Sequence, residues 1–355
     1  MSTKIAAKTP RRQKNPLSWR LGVLAASLSV ACSGTPTKTP GPPAWHVVLA
    51  NQPPTLLSVW GAAADDVLAV GGPLGNGSPS AVLHYDGNAW TDLRPGGTET
   101  FWWAHGTSRT DAWIVGEKGR ILHWDGQTVT EGASRPTSAT LFGVWAAAPD
   151  DAWAVGGTPG GGSSAPNDVV LHYDGTSWTA SPPPQALGRA FFKVWGSARD
   201  DLYVVGEAGT VWHRKGAVWA LESSPPIATG TLLTVNGCGP GEVYAVGGRD
   251  VLRSDGRTWT RVDVQLDNDV NGVSCAAPGQ VVLVGSAGLK ERLVAGQWQD
   301  DFALEPHTDL HGAWADPTGA YWAAGGDFSS GPRAGASRGG TLVYYGVVAP
   351  SGTTR

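Results

Sequence analysis

One phrase recurs seven times along this chain, and its spacing limits the folds that the chain can adopt. A clear copy reads Val144-Trp145, then Asp151-Ala152-Trp153-Ala154-Val155-Gly156, then Leu171-His172-Tyr173-Asp174-Gly175-Thr176-Ser177-Trp178. Counting eleven residues back from the glycine that ends the second segment of each copy gives one reference position per copy. These positions hold Trp60, His105, Trp145, Trp195, Asn236, Ser274 and Trp314. Their mean spacing of about 42 residues fits a four-stranded propeller blade, and it suits neither a 34-residue helical repeat nor a leucine-rich repeat.

Each copy predicts four strands, a to d. Strand a is rich in aliphatic and aromatic residues, as in Leu56-Leu57-Ser58-Val59-Trp60. Strand b, such as Leu202-Tyr203-Val204-Val205, is an almost continuous apolar run, which is typical of a strand buried on both faces. Strands c and d are joined in four copies by Asp-Gly, a pair favoured in tight hairpin turns that need positive φ. We therefore predict an all-β fold, a seven-bladed β-propeller of four-stranded antiparallel blades.

The two ends of the chain predict how the ring closes. The seventh copy stops after Leu342-Val343-Tyr344-Tyr345-Gly346 and has no fourth strand, whereas Trp45-His46-Val47-Val48-Leu49 precedes the first copy and resembles a strand d. We expect this N-terminal strand to pair with the last blade, because closure removes the sheet edges that an open array would expose. The propeller would then span residues 45–349, followed by a tail at 350–355.

The first 31 residues predict a bacterial signal peptide. Basic residues up to Arg20 precede a short apolar stretch, Leu21 to Ala31, which is too short to span a bilayer. The segment Leu28-Ser29-Val30-Ala31-Cys32 resembles a lipoprotein signal, in which Cys32 would carry the lipid; ordinary secretion with cleavage nearby is the alternative. Ser33 resembles the residue found in lipoproteins sent to the outer membrane. Residues 32–44 would form a flexible tether.

The net charge of the chain indicates which kinds of partner it can bind. The chain has 26 basic and 30 acidic residues, and removal of the leader takes away basic residues only. A body this acidic has no electrostatic footprint for nucleic acid. We expect a monomeric propeller that needs no cofactor or metal, is attached to the membrane through its lipid, and binds an unidentified protein or glycan.

The two remaining cysteines lie close to the reference positions of consecutive copies. Cys238 follows Asn236 by two residues and Cys275 follows Ser274 by one. Both should emerge at the same end of neighbouring inner strands, so an exported protein could join them by a disulfide. The alternative is two small buried thiols that fill narrow inner positions.

Residues that suggest catalysis recur too often to mark a single active site. Four copies place a histidine in the same slot of strand c, and three place an aspartate pair at the turn between strands a and b: His84, His123, His172, His213, Asp65-Asp66, Asp150-Asp151 and Asp200-Asp201. We interpret them as packing and turn residues. His105 differs because it replaces a tryptophan at a reference position, where it would approach the central channel.

Variation around the ring is a better guide to function than the repeat itself. The loop between strands b and c is enlarged in three copies, at 72–80, 157–167 and 326–340. In a propeller, the b–c and d–a loops share one face, where such folds commonly bind partners. Alternatively, these loops are merely tolerated and the nearby aromatic residues pack between blades. The candidate binding surface consists of Phe101, Trp102, His105, Phe191, Phe328 and Arg333.

The phrases Val-Trp-Gly, Val-Gly and His-Tyr-Asp-Gly-x-x-Trp resemble bacterial Asp-box, or BNR-like, propeller repeats. The segment Arg253-Ser254-Asp255-Gly256-Arg257-Thr258-Trp259 comes closest to an Asp box. Such boxes are structural hairpins in sialidases and in noncatalytic propellers alike, so the resemblance assigns no catalytic residue, and the Arg-Ile-Pro signature of sialidases is absent. We expect a noncatalytic envelope-anchored propeller lipoprotein, at the outer membrane, that acts as a binding or scaffolding module. The alternative is a propeller enzyme acting on glycans, either sialidase-like or another glycoside hydrolase or lyase.

Overall fold

The described part of the chain is a ring of seven antiparallel four-stranded sheets. The computed structural model describes residues 41–52, 54–73, 77, 79–132, 135–223, 227–328 and 339–354. Within these ranges there are seven four-stranded sheets and no α-helix, which confirms the predicted seven-bladed propeller. Four short 3-10 turns lie between strands b and c, at Glu117–Gly119, Gly162–Ser164, Glu207–Gly209 and Ser286–Gly288.

The strands follow the predicted order along the chain. The first thirteen are β1 (Ala44–Gln52), β2 (Thr55–Ala63), β3 (Asp66–Gly72), β4 (Ala81–Tyr85), β5 (Trp90–Asp92), β6 (Phe101–Ser108), β7 (Asp111–Gly116), β8 (Ile121–Trp124), β9 (Val129–Glu131), β10 (Thr140–Ala148), β11 (Asp151–Gly157), β12 (Val169–Tyr173) and β13 (Trp178–Ala180). The next eight are β14 (Phe191–Ala198), β15 (Asp201–Gly206), β16 (Val211–Lys215), β17 (Val218–Leu221), β18 (Thr234–Gly239), β19 (Glu242–Gly247), β20 (Asp250–Ser254) and β21 (Trp259–Arg261). The last seven are β22 (Val270–Ala277), β23 (Gln280–Gly285), β24 (Lys290–Val294), β25 (Gln297–Asp300), β26 (Asp309–Ala315), β27 (Tyr321–Gly326) and β28 (Gly340–Gly346).

The ring closes through the N-terminal strand. Strand β1 is the outer strand of blade seven and pairs antiparallel with β28, with Trp45 opposite Tyr345 and Val47 opposite Val343. The inner strands of successive blades are neighbours all round the ring, and β2 of blade one contacts β26 of blade seven. This confirms the predicted closure, with β1 beginning at Ala44, one residue before the predicted boundary.

The C-terminal tail adds a second contact near the closure. The backbone N–H of Trp90, which opens the outer strand of blade one, donates to the Thr353 carbonyl oxygen at 2.8 Å, and Thr354 forms a parallel bridge with Trp90. The sequence predicts only an unassigned tail at residues 350–355. In the structure this segment contacts blade one after leaving blade seven.

The core consists of layers of side chains between neighbouring blades. Every residue of β11 is buried, as is every residue of β3, so strand b is covered on both faces as its apolar run predicts. Between blades seven and one, Trp322 meets Trp90 edge to face with ring centroids 6.1 Å apart, and both side chains are fully buried. The recurring tryptophans thus contribute mainly buried area and aromatic contacts between blades.

The recurring histidines and aspartates bind one another. The carboxylate of Asp111, at the start of strand b, is 2.7 Å from Nε2 of His123 on strand c, and the same pair recurs at 3.0 Å between Asp151 and His172. Two further copies follow the pattern, Asp201–His213 at 2.6 Å and, more loosely, Asp66–His84 at 3.5 Å. In three of the four copies the aspartate is therefore hydrogen-bonded to its histidine, as buried polar groups generally are, whereas His84 Nε2 has no hydrogen-bond partner within the described residues.

The c–d turns explain why Asp-Gly recurs. In blade three, the Asp174 carboxylate accepts hydrogen bonds from the N–H groups of Thr176 and Ser177, both at 2.9 Å, and Gly175 takes φ +89°. Only the glycine needs positive φ, because the aspartate stands before the turn as an acceptor. These bonds lower the pKa of the Asp174 carboxyl below its usual value. The same arrangement occurs at Asp86, Asp125 and Asp255.

Candidate functional site

The reference positions of the seven repeats line a central channel. Together with adjacent inner-strand residues they enclose a cavity of about 160 Å³, and its wall includes all seven reference side chains, Trp60, His105, Trp145, Trp195, Asn236, Ser274 and Trp314. The eleven-residue count therefore identified channel-lining positions. A cavity of this size has room for several water molecules.

His105 lies in the channel wall, away from the outer face of the loops. Its ring lies 5.8 Å from the Trp60 ring and 6.3 Å from the Trp145 ring, and its Nδ1 accepts a hydrogen bond from the Ala146 N–H at 3.1 Å. Burial lowers the pKa of His105 to about 4, so the imidazole is neutral at pH 7. His105 thus approaches the central channel, as its place at a reference position predicts, and it packs among the channel tryptophans.

In six blades, a β-bulge near the start of the inner strand changes the direction of one side chain. The strand a to strand b register shifts three positions before the reference residue, which leaves one residue of strand a without a direct partner. Bulges bend the strand locally and commonly redirect a side chain beside a binding site. The bulged residues are Leu57, Trp102, Phe142, Phe192, Asn271 and His311.

Four of these bulged residues join Phe328 in a continuous aromatic arc. Successive ring centroids are 5.0 Å apart from Phe192 to Phe142, 5.0 Å from Phe142 to Trp102, 5.9 Å from Trp102 to His311, and 6.0 Å from His311 to Phe328. The arc spans blades four, three, two and seven. All but Phe142 are partly exposed, and the buried indole N–H of Trp102 has no partner in the described chain.

A buried lysine lies beside the arc. The ammonium of Lys193, which follows the bulged Phe192, donates to the Phe142 carbonyl at 2.8 Å and lies 4.2 Å from the centre of the Trp103 ring. Gly143 makes room for it, because a Cβ there would lie 3.2 Å from Lys193 Cδ. Burial lowers the pKa of Lys193 to about 7.

His311 is neutral in this setting. Its Nδ1–H donates to the Leu57 carbonyl oxygen at 2.7 Å, across the junction of blades seven and one. Burial, and after it the nearby positive charge of Lys193, lower the pKa of His311 to about 3. The arc therefore presents aromatic faces and neutral polar atoms at pH 7.

The structure brings together only part of the predicted binding surface. Trp102 and Phe328 belong to the arc, but Phe101 and Phe191 are fully buried, with 0% exposure, so their assignment to a surface was wrong. They precede the bulged residues and pack between blades, the alternative that the sequence had left open. Arg333 lies outside the described residues, as does Cys32. Sequence reasoning missed Phe142, Lys193 and His311, because only the bulge reveals where they point.

The enlarged loop of blade three shows that the b–c and d–a connections share a face. The Asn167 side chain accepts from Thr158 N–H at 2.7 Å and donates to the Gly188 carbonyl in the next d–a connection at 3.3 Å. Gly160 N–H donates to the Glu207 carboxylate of blade four at 2.7 Å. Residues 74–76, 78 and 329–338, in the other two enlarged loops, lie outside the described ranges.

The two inner-strand cysteines are adjacent. The Cα atoms of Cys238 and Cys275 are 5.3 Å apart, within the range that a disulfide spans, and the structure records a bridge between blades five and six. In the described part of the chain, no group of three or more side chains is arranged to hold a metal ion, and no helix is long and apolar enough to cross a membrane.

The fold and the geometry of the site therefore define the class of this protein. It is a seven-bladed propeller with aromatic side chains around one mouth of its channel. The chain matches no protein-family model and no curated protein. Its fold resembles the solved structure of YCF48 bound to D1 peptide, at 16% identity and a TM-score of 0.62, covering 86% of this chain and 99% of that one. It also resembles virginiamycin B lyase from Staphylococcus aureus, at 9% identity and a TM-score of 0.65 (85% and 99%). A third similar structure is the WD40 propeller domain of Doa1, at 9% identity and a TM-score of 0.64 (84% and 96%). Likenesses at this identity establish the fold alone.

Proposed function

We propose that the protein is a noncatalytic, envelope-anchored propeller lipoprotein with Asp-box-like repeats, which binds a protein or glycan through the loop face around the aromatic arc. The observation that carries this proposal is the arc itself, in which four blades contribute adjacent rings at one mouth of the channel. Partly exposed aromatic side chains supply large contact areas in binding sites.

The charges around the arc favour an uncharged partner, or one with charges of both signs, over an anionic ligand. His311 is neutral at pH 7, and Lys193 is 3% exposed with its ammonium bonded to a backbone carbonyl. A partner would therefore be held mainly by the partly exposed ring faces of the arc. The solved structure of YCF48 bound to D1 peptide offers a precedent for ligand binding by a propeller of this shape.

The anchor is proposed from the leader sequence. Lipidation at Cys32 would leave a short tether before β1, so the ring would stay close to the outer membrane. Replacement of Cys32 by serine should move the protein from the membrane fraction to the soluble fraction, and labelled fatty acid should no longer be incorporated. An unchanged distribution of Cys32→Ser would contradict the anchor without bearing on the arc.

Crosslinking in intact envelopes tests the binding proposal. The lipidated wild type, a Trp102→Ala/Phe192→Ala variant and a Val218→Ser control should be compared. Val218 is a suitable control because it is 70% exposed on the outer strand of blade four, away from the channel mouth. We expect wild type and control to crosslink the same partner and the arc variant to lose it. Equal crosslinking by all three would contradict the assignment of the arc.

The enzyme alternative has a separate readout. Purified protein should be incubated with a panel of glycans, and released reducing ends and unsaturated products should be measured. We expect no release above the background of a heat-denatured sample. Release that a single substitution in the channel abolishes would replace the binding proposal with the glycan-active one.

A further inference from the structure

An acidic residue bridges the seam between blades four and five. Glu222 directly follows the outer strand of blade four, and its carboxylate accepts from His213 Nδ1 at 2.7 Å and from Trp259 Nε1 at 2.6 Å. His213 lies on strand c of the same blade, whereas Trp259 begins the outer strand of the next blade. One carboxylate thus satisfies two buried donors that belong to different blades.

The same arrangement recurs between blades six and seven. Asp301 directly follows the outer strand of blade six and accepts from Trp45 Nε1 at 2.8 Å and from Arg292. Arg292 lies opposite Val282 of strand b, and His213 lies opposite Tyr203 at the corresponding position of its own blade. The two basic side chains therefore occupy the same position of strand c. Trp45 likewise corresponds to Trp259 as the tryptophan of the following outer strand. An acid between a strand-c base and that tryptophan therefore occurs in these two seams.

Between blades two and three, the base and the tryptophan are present but the acid is missing. His123 occupies the strand-c slot, and Trp178 begins the outer strand of blade three, opposite Tyr173 as Trp259 is opposite Ser254. The residue that follows the outer strand of blade two is Gly132, which has no side chain. Within the described residues, the buried Nε1 of Trp178 has no hydrogen-bond partner, and the His123 imidazole is hydrogen-bonded only to Asp111, through Nε2.

A large cavity occupies this seam. Its volume is about 590 Å³, within the usual range for small-ligand pockets. Trp113 and Trp178 meet edge to face at 5.2 Å, and the Tyr173 ring lies 4.7 Å from the first and 5.4 Å from the second. The Trp113 indole N–H is also buried without a partner in the described chain. Five hydroxyl side chains also line the cavity: Ser108, Thr110, Thr130, Thr176 and Ser177.

The two neighbouring seams are held by arginines that this seam lacks. Arg199, on the a–b turn of blade four, pairs with Asp150 of blade three, and Arg109, on the a–b turn of blade two, pairs with Asp65 of blade one. The corresponding turn residue of blade three is Pro149, which lines the cavity. No cation from blade three therefore bridges to blade two at this turn within the described chain.

We propose that the seam between blades two and three binds an acidic sugar residue of a glycan, whose carboxylate takes the place that Glu222 fills in its own seam. The carboxylate accepts from the Trp178 indole N–H and lies beside His123. The sugar ring packs on the aromatic wall, and its hydroxyls meet the five hydroxyl side chains around the cavity. An aromatic wall with so many hydroxyl partners suits a sugar ring better than it suits an acidic peptide side chain.

The acids already in the cavity do not oppose this ligand strongly, because each is paired. Asp111 is bound to His123 at 2.7 Å, and Glu131 lies 2.9 Å from an Arg120 nitrogen and 2.8 Å from an Arg135 nitrogen. The site is bordered by a–b and c–d turns, on the face opposite the aromatic arc, so it does not depend on the proposed function of the arc. Failure at one site leaves the other testable.

Titration calorimetry on the purified mature protein tests the proposal. The probes are a galacturonic acid trisaccharide, its methyl ester, and a triglutamate peptide. We expect the trisaccharide to bind and the ester to bind at least about tenfold more weakly, because a hydrogen bond to a charged acceptor is worth roughly 1.5–3 kcal/mol. Absent binding of the acidic trisaccharide, equal binding of the ester, or tighter binding of the peptide would overturn the proposal.

Two variants and a matched control locate the site. Gly132→Glu supplies the missing acid and should abolish binding, and Trp178→Phe keeps a ring but removes the indole N–H, so it should weaken binding about tenfold. Ser181→Glu adds the same acid at the equivalent position of the neighbouring seam and should bind like wild type. Unchanged binding by Gly132→Glu or Trp178→Phe would overturn the assignment, and so would equal loss in Ser181→Glu.

Discussion

The indole N–H of Trp259 donates to the Glu222 carboxylate across the seam between blades four and five, at 2.6 Å. The same carboxylate accepts from His213 of its own blade. Blades are therefore joined by specific polar contacts as well as by apolar layers. The acid that makes these contacts is absent from the seam between blades two and three, where the fold is kept and the buried Trp178 N–H has no acceptor within the described residues.

Removal of the Glu222 carboxylate should lower the stability of the folded protein. Glu222→Ala leaves the Trp259 N–H and His213 Nδ1 without their acceptor, and we expect the free energy of unfolding to fall by about 2–4 kcal/mol. Urea denaturation followed by tryptophan fluorescence measures it. Asp263→Ala, at an exposed position, is the control and should stay within about 0.5 kcal/mol of wild type. A Glu222→Ala variant as stable as the control would contradict the role of the bridge.

Deletion of residues 44–52 should open the ring. Strand β1 supplies the outer strand of blade seven and buries Trp45, Val48 and Leu49. We expect the melting temperature to fall by more than about 10 °C. Truncation of residues 350–355 removes a short contact with Trp90 and should lower it by only about 2–4 °C. Equal melting of the deletion and wild type by differential scanning calorimetry would be inconsistent with closure through β1.

The bridge between Cys238 and Cys275 should add to stability. It closes a segment with a sequence separation of 37 residues, for which chain entropy predicts a contribution of about 4 kcal/mol. Non-reduced protein should be lighter than reduced protein by two hydrogen atoms, and the Cys238→Ala/Cys275→Ala variant should unfold at lower urea concentration. Identical masses before and after reduction would show that the thiols are free.

Lys193 should make stability depend on pH in an unusual direction. Burial lowers its pKa from 10.5 to about 7 in the folded protein. Between these two pH values the lysine carries a proton in the unfolded chain but not in the folded protein. The free energy of unfolding therefore rises as the pH rises through this range. Lys193→Met should therefore be more stable than wild type by about 2–4 kcal/mol at pH 6, with the difference shrinking above pH 7. The exposed Lys215→Met should show no such trend. Parallel curves for wild type and Lys193→Met would refute the buried charge.

The repeat alone was enough to predict the architecture. The eleven-residue count locates the channel-lining positions because strand register is the same in every blade. The recurrence of histidine at one position of strand c, as at His123 and His172, likewise predicts that these residues are structural, and each pairs with an aspartate of its own blade. Closure through Trp45 and its neighbours follows from the missing strand in the seventh copy, since an antiparallel blade with an open edge needs a partner.

The candidate sites depend on features that the sequence does not display. A bulge of one residue decides that Phe101 is buried while Trp102 reaches the channel mouth, and no local composition marks that bulge. The significance of Gly132 emerges only when one blade is packed against the next. Its missing acid matters because Trp178, 46 positions further along the chain, is then left without an acceptor.

The most direct test of the account is to observe the indole N–H signals while an acidic sugar is added. In nitrogen-15 spectra of the mature protein, the Trp178 signal can be assigned from the Trp178→Phe variant. We predict that galacturonic acid trisaccharide moves the Trp178 and Trp113 signals and leaves the Trp102 signal at the channel mouth unchanged, and that Gly132→Glu moves the Trp178 signal without ligand. Saturating trisaccharide that leaves Trp178 unmoved, or moves only Trp102, would contradict the claim that the interrupted seam is a binding site.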